Sequence, residues 1–250
     1  MSTQTTLARL ASAPAIVPPL AIVVDAGLAT KYLLACEQGD IDGCHAALAQ
    51  LQQRYPHSVA DKFKPSERQA HQPLHDLIGH GFTIAATRGH VATVEFLLSS
   101  QFASVVRDVI CGDAQQFPPF PALHDHELVN CVDSIRVVCF AALACIDQLA
   151  MPAFQLLVET QTLWDHEASL CLALAMRRAV VAASHNQQTP TTVSPAAFHA
   201  VIVLLVQHYT FLVDELRDFH HRFQRCETVD MDRVRALQAS LLYEIVLSGY

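Results

Sequence analysis

Glycine is scarce in this chain: eight among 250 residues. A Gly-rich loop that cradles phosphate would be hard to hide among so few, and none is present. Scarce glycine beside abundant Ala and Leu also favours helices over a turn-rich β fold. Charge is sparse as well. Asp, Glu, Lys and Arg make up 16% of the chain and hydrophobic residues 52%, a balance that argues against disorder. Catalytic signatures are missing: there is no Gly-x-Ser-x-Gly, no His-Glu-x-x-His and no Cys-x-x-Cys.

What charge there is sums to −8, with a pI near 5.9. A mildly acidic chain is a poor binder of phosphate backbones, so no nucleic-acid partner is expected. The most basic stretch, "RYPHSVADKFKPSER" at 54–68, intersperses Asp61 and Glu67 and reads as a solvated loop. Of the eight cysteines, Cys36, Cys139, Cys145 and Cys171 lie among Ala, Leu and Val, where a reduced thiol serves as a small core residue. The N-terminal stretch has Pro14, Pro18 and Pro19 through its apolar part, unlike a secretory signal, and few Arg for a transit peptide. The reading is therefore an intracellular, cytoplasmic protein, with organellar targeting left open. The longest apolar run, "AAFHAVIVLLVQHYTFLV" at 196–213, is interrupted by His199, Gln207, His208 and Tyr209, so a buried helix is expected and no membrane span.

The most informative stretch is "AATRGHVATVEFLL", 85–98. A small pair lets two helices approach closely. A Gly then ends the first helix where φ is positive, and apolar residues three or four apart form the buried stripe of a second. The same template slides onto "TKYLLACEQGDIDGCHAALAQL" (30–51), where Thr30 is a candidate cap, Ala35 and Cys36 are the small pair and Gly39 the break. It fits "CFAALACIDQLAMPAFQLLVE" (139–159) with Ala144 and Cys145 as the small pair and Gln148 in place of Gly. A weaker pair joins 168–180 to 195–209 through the polar loop "SHNQQTPTTVS".

These residues resemble the ankyrin repeat, whose second half runs Ala-Ala, two variable residues, Gly-His and a Val/Val/Leu/Leu helix. The Thr-Pro-Leu-His half is poorly kept, and "QPLHDLIGHG" (72–81) stands too early for the Ala85–Ala86 register. Ankyrin units recur at about 33 residues, whereas the small pairs here begin at 35, 85 and 144. The fold expected is all-α: stacked helical hairpins, a degenerate ankyrin-like solenoid over 30–209. It follows an apolar N-terminal arm (1–29), carries Pro-rich insertions at about 54–81 and 109–131, and is closed by two C-terminal helices in 210–250. In those last helices Leu212, Leu216, Phe219 and Phe223, then Val234, Leu237, Leu241 and Ile245, form apolar stripes.

The resemblance implies a non-catalytic scaffold or adaptor whose partner is another protein; the apolar N-terminal arm, the Pro-rich insertions and the high hydrophobicity equally suit a structural subunit of a larger assembly. The resemblance implies contact through the variable pair before each break: Glu37 and Gln38, Thr87 and Arg88, Ile146 and Asp147. It also makes His90 a structural residue that bridges neighbouring turns. No cofactor and no metal are called for. The alternative is an enzyme with a pocket formed by the two insertions, in which His75, His80, His124, Asp125 and His126 move protons or hold a metal. The lone tryptophan, Trp164, opening "WDHEASL", reads either as an exposed anchor or as a core plug.

Overall fold

The computed structural model describes residues 23–55, 65–99, 109–111, 136–184 and 195–223, with positions 235, 236, 239 and 243. The described elements are α-helices throughout. They are α1 (Ala26–Gln38), α2 (Ile41–Arg54), α3 (Pro65–Thr87), α4 (Val91–Ser99), α5 (Val137–Gln148), α6 (Met151–Glu159), α7 (Asp165–Ser184), α8 (Pro195–His208) and α9 (Leu212–Phe223).

Local chemistry sets the first hairpin. Asp25, not Thr30, caps α1: its carboxylate accepts from the Leu28 N–H at 3.0 Å, while the Thr30 hydroxyl donates to the Ala26 carbonyl at 2.8 Å inside the helix. That capping bond, aided by Arg54 at 2.8 Å, holds the Asp25 carboxyl below the usual carboxylate range. Asp40 caps α2 in the same way, its side chain accepting from Gly43 N–H at 2.9 Å. Tyr55 closes the far end of the hairpin: its hydroxyl accepts from Asp25 N–H and donates to the Val23 carbonyl, both at 3.0 Å.

Consecutive helices pair as α1/α2, α3/α4, α5/α6 and α7/α8. The first helices also pack on one another in chain order, α1 on α3, α3 on α5 and α5 on α7; α2 touches α4, α4 touches α6 and α6 touches α8. One apolar core runs through all of them, from Leu28 to Leu216. Small residues on the first helices, among them Ala35, Cys36, Ala85, Ala86, Ala141, Ala142 and Ala175, are buried and let the backbones approach closely. The segment 196–213 contributes α8, whose Val201, Ile202, Leu205 and Val206 belong to this core. Among the described residues, no helix is long and apolar enough to cross a membrane. α9 lies against α7 and α8, with Leu212 and Leu216 fully buried and Ser169 donating to Glu215 at 2.7 Å. Of the second closing helix, positions 235, 236, 239 and 243 are helical and exposed; Phe219, Phe223 and the stripe from Val234 to Ile245 lie outside the residues whose side chains are described.

The expected insertion at 54–81 is corrected. From Pro65 onward the chain is helix, and "QPLHDLIGHG" lies within α3 itself. Pro65 starts the helix, where its missing N–H is no loss. Pro73, inside it, forfeits a hydrogen bond and costs about 3 kcal/mol. Against that stands a buried stripe of Leu74, Leu77, Ile78, Phe82, Ala85 and Ala86. Each large member of it is worth about 1.5–3 kcal/mol on burial, so the stripe outweighs the proline. In the insertion expected at 109–131, residues 109–111 are helical with Val109 and Ile110 buried, and 112–131 fall outside the described residues.

One buried polar group runs against this packing. Thr93 in α4 is 1% exposed and its Oγ1 has no hydrogen-bond partner among the described residues. Thr93→Val keeps the shape and removes the desolvated hydroxyl. It is expected to raise stability by about 1 kcal/mol, read as a higher urea midpoint at unchanged slope. A lower midpoint would mean the hydroxyl has a partner after all.

Candidate interaction surface

Three turns between paired helices share one geometry. Gly39 (φ 71°), Gly89 (φ 75°) and Leu149 (φ 54°) are left-handed. In each turn the next residue's N–H returns to a carbonyl five positions back: Asp40 to Ala35 at 2.9 Å, His90 to Ala85 at 3.0 Å and Ala150 to Cys145 at 2.9 Å. The left-handed residue itself bonds three back, to Cys36, Ala86 and Ile146. This is the Schellman ending of a helix, for which glycine is favoured because no Cβ opposes it.

These bonds fix the register and shift the third hairpin by one residue. Its small-pair positions are Cys145 and Ile146, not Ala144 and Cys145, and Leu149, not Gln148, stands where the others have Gly. Ile146 is fully buried, so it is withdrawn as a surface contact; the pair before the turn is Asp147 and Gln148. The sequence template failed here because it searched for glycine, and a leucine adopts the left-handed conformation instead.

The turns are tied to one another. His90 Nε2 donates to the Glu37 carbonyl at 2.8 Å, the bridging role expected of it. Arg88 pairs with Glu37 at 2.8 Å and Arg178 with Asp147 at 2.8 Å. In both pairs the carboxylate stands two residues before a left-handed turn. Glu37, Gln38 and Arg88 are exposed, and Thr87 is half-buried with its hydroxyl donating to the Thr83 and Ile84 carbonyls, both at 2.9 Å. The Arg88–Glu37 pair is exposed and contributes at most about 1 kcal/mol, whereas Arg178–Asp147 is half-buried, with the Asp147 side chain 9% exposed.

Gly39 and Gly89 differ in what surrounds them. A Cβ on Gly39 would lie 2.7 Å from His90 Nδ1, whereas one on Gly89 meets nothing within 4 Å. Gly89→Ala carries only the left-handed strain and is expected to cost about 1 kcal/mol. Gly39→Ala adds displacement of His90 from the Glu37 carbonyl, for about 2 kcal/mol in all. Equal losses in parallel urea titrations would show that the imidazole does not rest on that glycine.

Two of the five residues of the enzyme reading, His75 and His80, are described. His75 and His80 both lie on α3 but five residues apart, so they leave the helix in different directions: His75 is 4% exposed and His80 is exposed, its Nδ1 3.1 Å from the Asp76 carbonyl. His124, Asp125 and His126 lie outside the described residues. Among those described, no group of His, Cys, Asp or Glu is arranged to hold a metal ion.

Sequence reasoning passed over a second site. Arg136, just before α5, is 3% exposed and Glu167 in α7 is fully buried. The Arg136 Nε donates to Glu167 Oε1 at 2.9 Å, and its terminal nitrogens reach Glu167 Oε2, the Thr162 carbonyl (2.8 Å) and the Cys111 carbonyl (3.2 Å). The guanidinium lies 3.8 Å from the centroid of the Trp164 ring, and Glu167 accepts from the Trp164 N–H at 2.9 Å. Trp164 is therefore not a core plug: it is 42% exposed, one face covered by Arg136. Beside it a cleft of about 550 Å³ is lined by Glu95, Ser99, Leu156, Gln161 and Trp164. The available signal was "WDHE" itself, a residue three before a Glu at the start of a helix, the spacing of a reciprocal cap.

The buried Arg136–Glu167 pair thus holds α5, α7 and the segment before α7 together. Comparison with protein-family models, with curated proteins and with solved structures returns no match for this chain.

Proposed function

We propose that the chain is a non-catalytic protein-interaction scaffold, built as a divergent ankyrin-like stack of helical hairpins. The observation that carries this reading is the recurrence of one turn at Gly39, Gly89 and Leu149, with His90 and Arg88 reaching back to the preceding turn. A recurring turn on successive hairpins presents side chains at regular intervals along one edge, which suits recognition of a partner surface. Glu37, Gln38, Thr87, Arg88, Asp147 and Gln148 are the contact positions this reading assigns. The exposed apolar side chains Leu34, Trp164, Val181 and Phe211 suit a chain that buries further surface in a neighbour, as a subunit of an assembly would.

The test is quantitative affinity capture followed by mass spectrometry, comparing the native chain with Glu37→Lys/Arg88→Glu. The swap reverses both charges at the turn while keeping the ion pair, so stability should stay within about 0.5 kcal/mol. Capture of a stoichiometric partner should fall about tenfold or more, since like charges across an interface cost several kcal/mol. Undiminished capture would remove these turns from the interface.

A further inference from the structure

We propose that Cys36 and Cys44 are a redox-sensitive lock on the first hairpin, closing to a disulfide when the chain meets a low-molecular-weight disulfide. The thiols stand on facing helices, α1 and α2, with their sulfurs 3.6 Å apart and both side chains fully buried. The turn between them is held on both sides, by the Gly39 ending and the Asp40 cap, so the pairing is built into the hairpin rather than sampled. Hydrogen bonding from Cys36 lowers the Cys44 thiol, while its partner is raised, which divides the pair into an attacking and a resolving sulfur.

The reaction balances as exchange. Cys44 thiolate attacks one sulfur of the small disulfide, forming a mixed disulfide and expelling one thiolate. Cys36 then loses its proton to solvent and attacks the Cys44 sulfur, expelling the second thiolate. Two protein thiols are oxidised, one small disulfide is reduced to two thiols, and the released protons neutralise them.

Position in the fold decides which thiols respond. Among the described helices α1 packs on α2 and α3, whereas α5 packs on α3, α6 and α7, and a helix with fewer packed partners opens more readily. Cys139 on α5 and Cys171 on α7 also interact, but between two interior helices. The chain thus contains its own control: a second buried thiol pair without easy opening. The lock bears on α1, which carries Glu37 and Gln38, but it does not depend on the scaffold reading.

The experiment incubates the full chain with oxidised glutathione under native conditions, with peptide mapping under non-reducing conditions over time. A Cys36–Cys44 cross-link should form well before any Cys139–Cys171 link, and α1 amides should exchange more slowly once it has formed. Cys36→Ser should leave glutathione attached to Cys44, and Cys44→Ser should slow modification of Cys36. The proposal is overturned if the two pairs oxidise together, which would make global unfolding the gate. It is equally overturned if Cys36 and Cys44 in the native chain each carry glutathione without linking.

Discussion

Arg136→Ala is expected to cost about 3–5 kcal/mol, because it strands the Glu167 carboxylate in the core. Glu167 is fully buried, and beyond Arg136 the described hydrogen bond left to it is the Trp164 N–H. The arginine's loss also removes a donor from the Thr162 and Cys111 carbonyls and uncovers one face of the indole. Glu167→Ala should cost a similar amount for the converse reason, leaving a guanidinium with two carbonyls and a ring for company. In a chain of this size each kcal/mol moves the thermal midpoint by roughly 2–4 °C, so either variant should melt on the order of 10 °C lower. The diagnostic result is the double replacement Arg136→Met/Glu167→Met. With no charge left to strand, it should be more stable than either single alanine variant, even though the Trp164 N–H and two carbonyls lose a partner. A double variant that loses the sum of both singles would mean the pair contributes as two independent side chains.

That pair also marks where the sequence could and could not be read. Helical hairpins at 30–51 and 85–98 follow from small pairs, a break and an apolar stripe, which are local patterns with local causes. α7 and α8 follow from long apolar runs. The α3 helix over 65–87 was obscured because Pro73 is a local signal against helix, and it is overridden by a stripe whose burial depends on α1 and α5. The Leu149 turn was misplaced by one residue because left-handed backbone is readable from sequence only when glycine adopts it. Arg136 and Glu167 are 31 residues apart and become partners only when α5 packs on α7. No spacing rule links them, and a single charge before an apolar helix looks like a surface residue until its surroundings are known. The turns at Gly39 and Gly89 were legible because their cause is local. Turns are local, whereas a pocket between distant segments is a statement about tertiary structure.

The second large effect tests the α1–α3 contact on which the row of first helices begins. Tyr32 on α1 is fully buried, its hydroxyl donating to the Ile78 carbonyl of α3 at 3.3 Å. Burial pushes the phenol well above its usual range, so it stays a neutral donor. The ring lies where Gly81 has no side chain: a Cβ there would sit 2.3 Å from Cε1, 2.7 Å from Cζ and 2.8 Å from the hydroxyl oxygen. Gly81 is mid-helix, a position that ordinarily favours Ala by about 1 kcal/mol. Two ring atoms and the hydroxyl oxygen inside contact distance reverse that preference, and Gly81→Ala should cost about 2–3 kcal/mol. Tyr32→Ala should cost about 4 kcal/mol through the void left between the helices. Combined, the two should not add. Once the ring is gone the new methyl enters the void it would have clashed with, and the helix preference returns. Gly81→Ala should therefore stabilise the Tyr32→Ala background, a change of sign in a double-mutant cycle read by urea unfolding. Because only direct contact can reverse the sign, a Gly81→Ala penalty that persists without the tyrosine would place the obstruction elsewhere and separate α1 from α3.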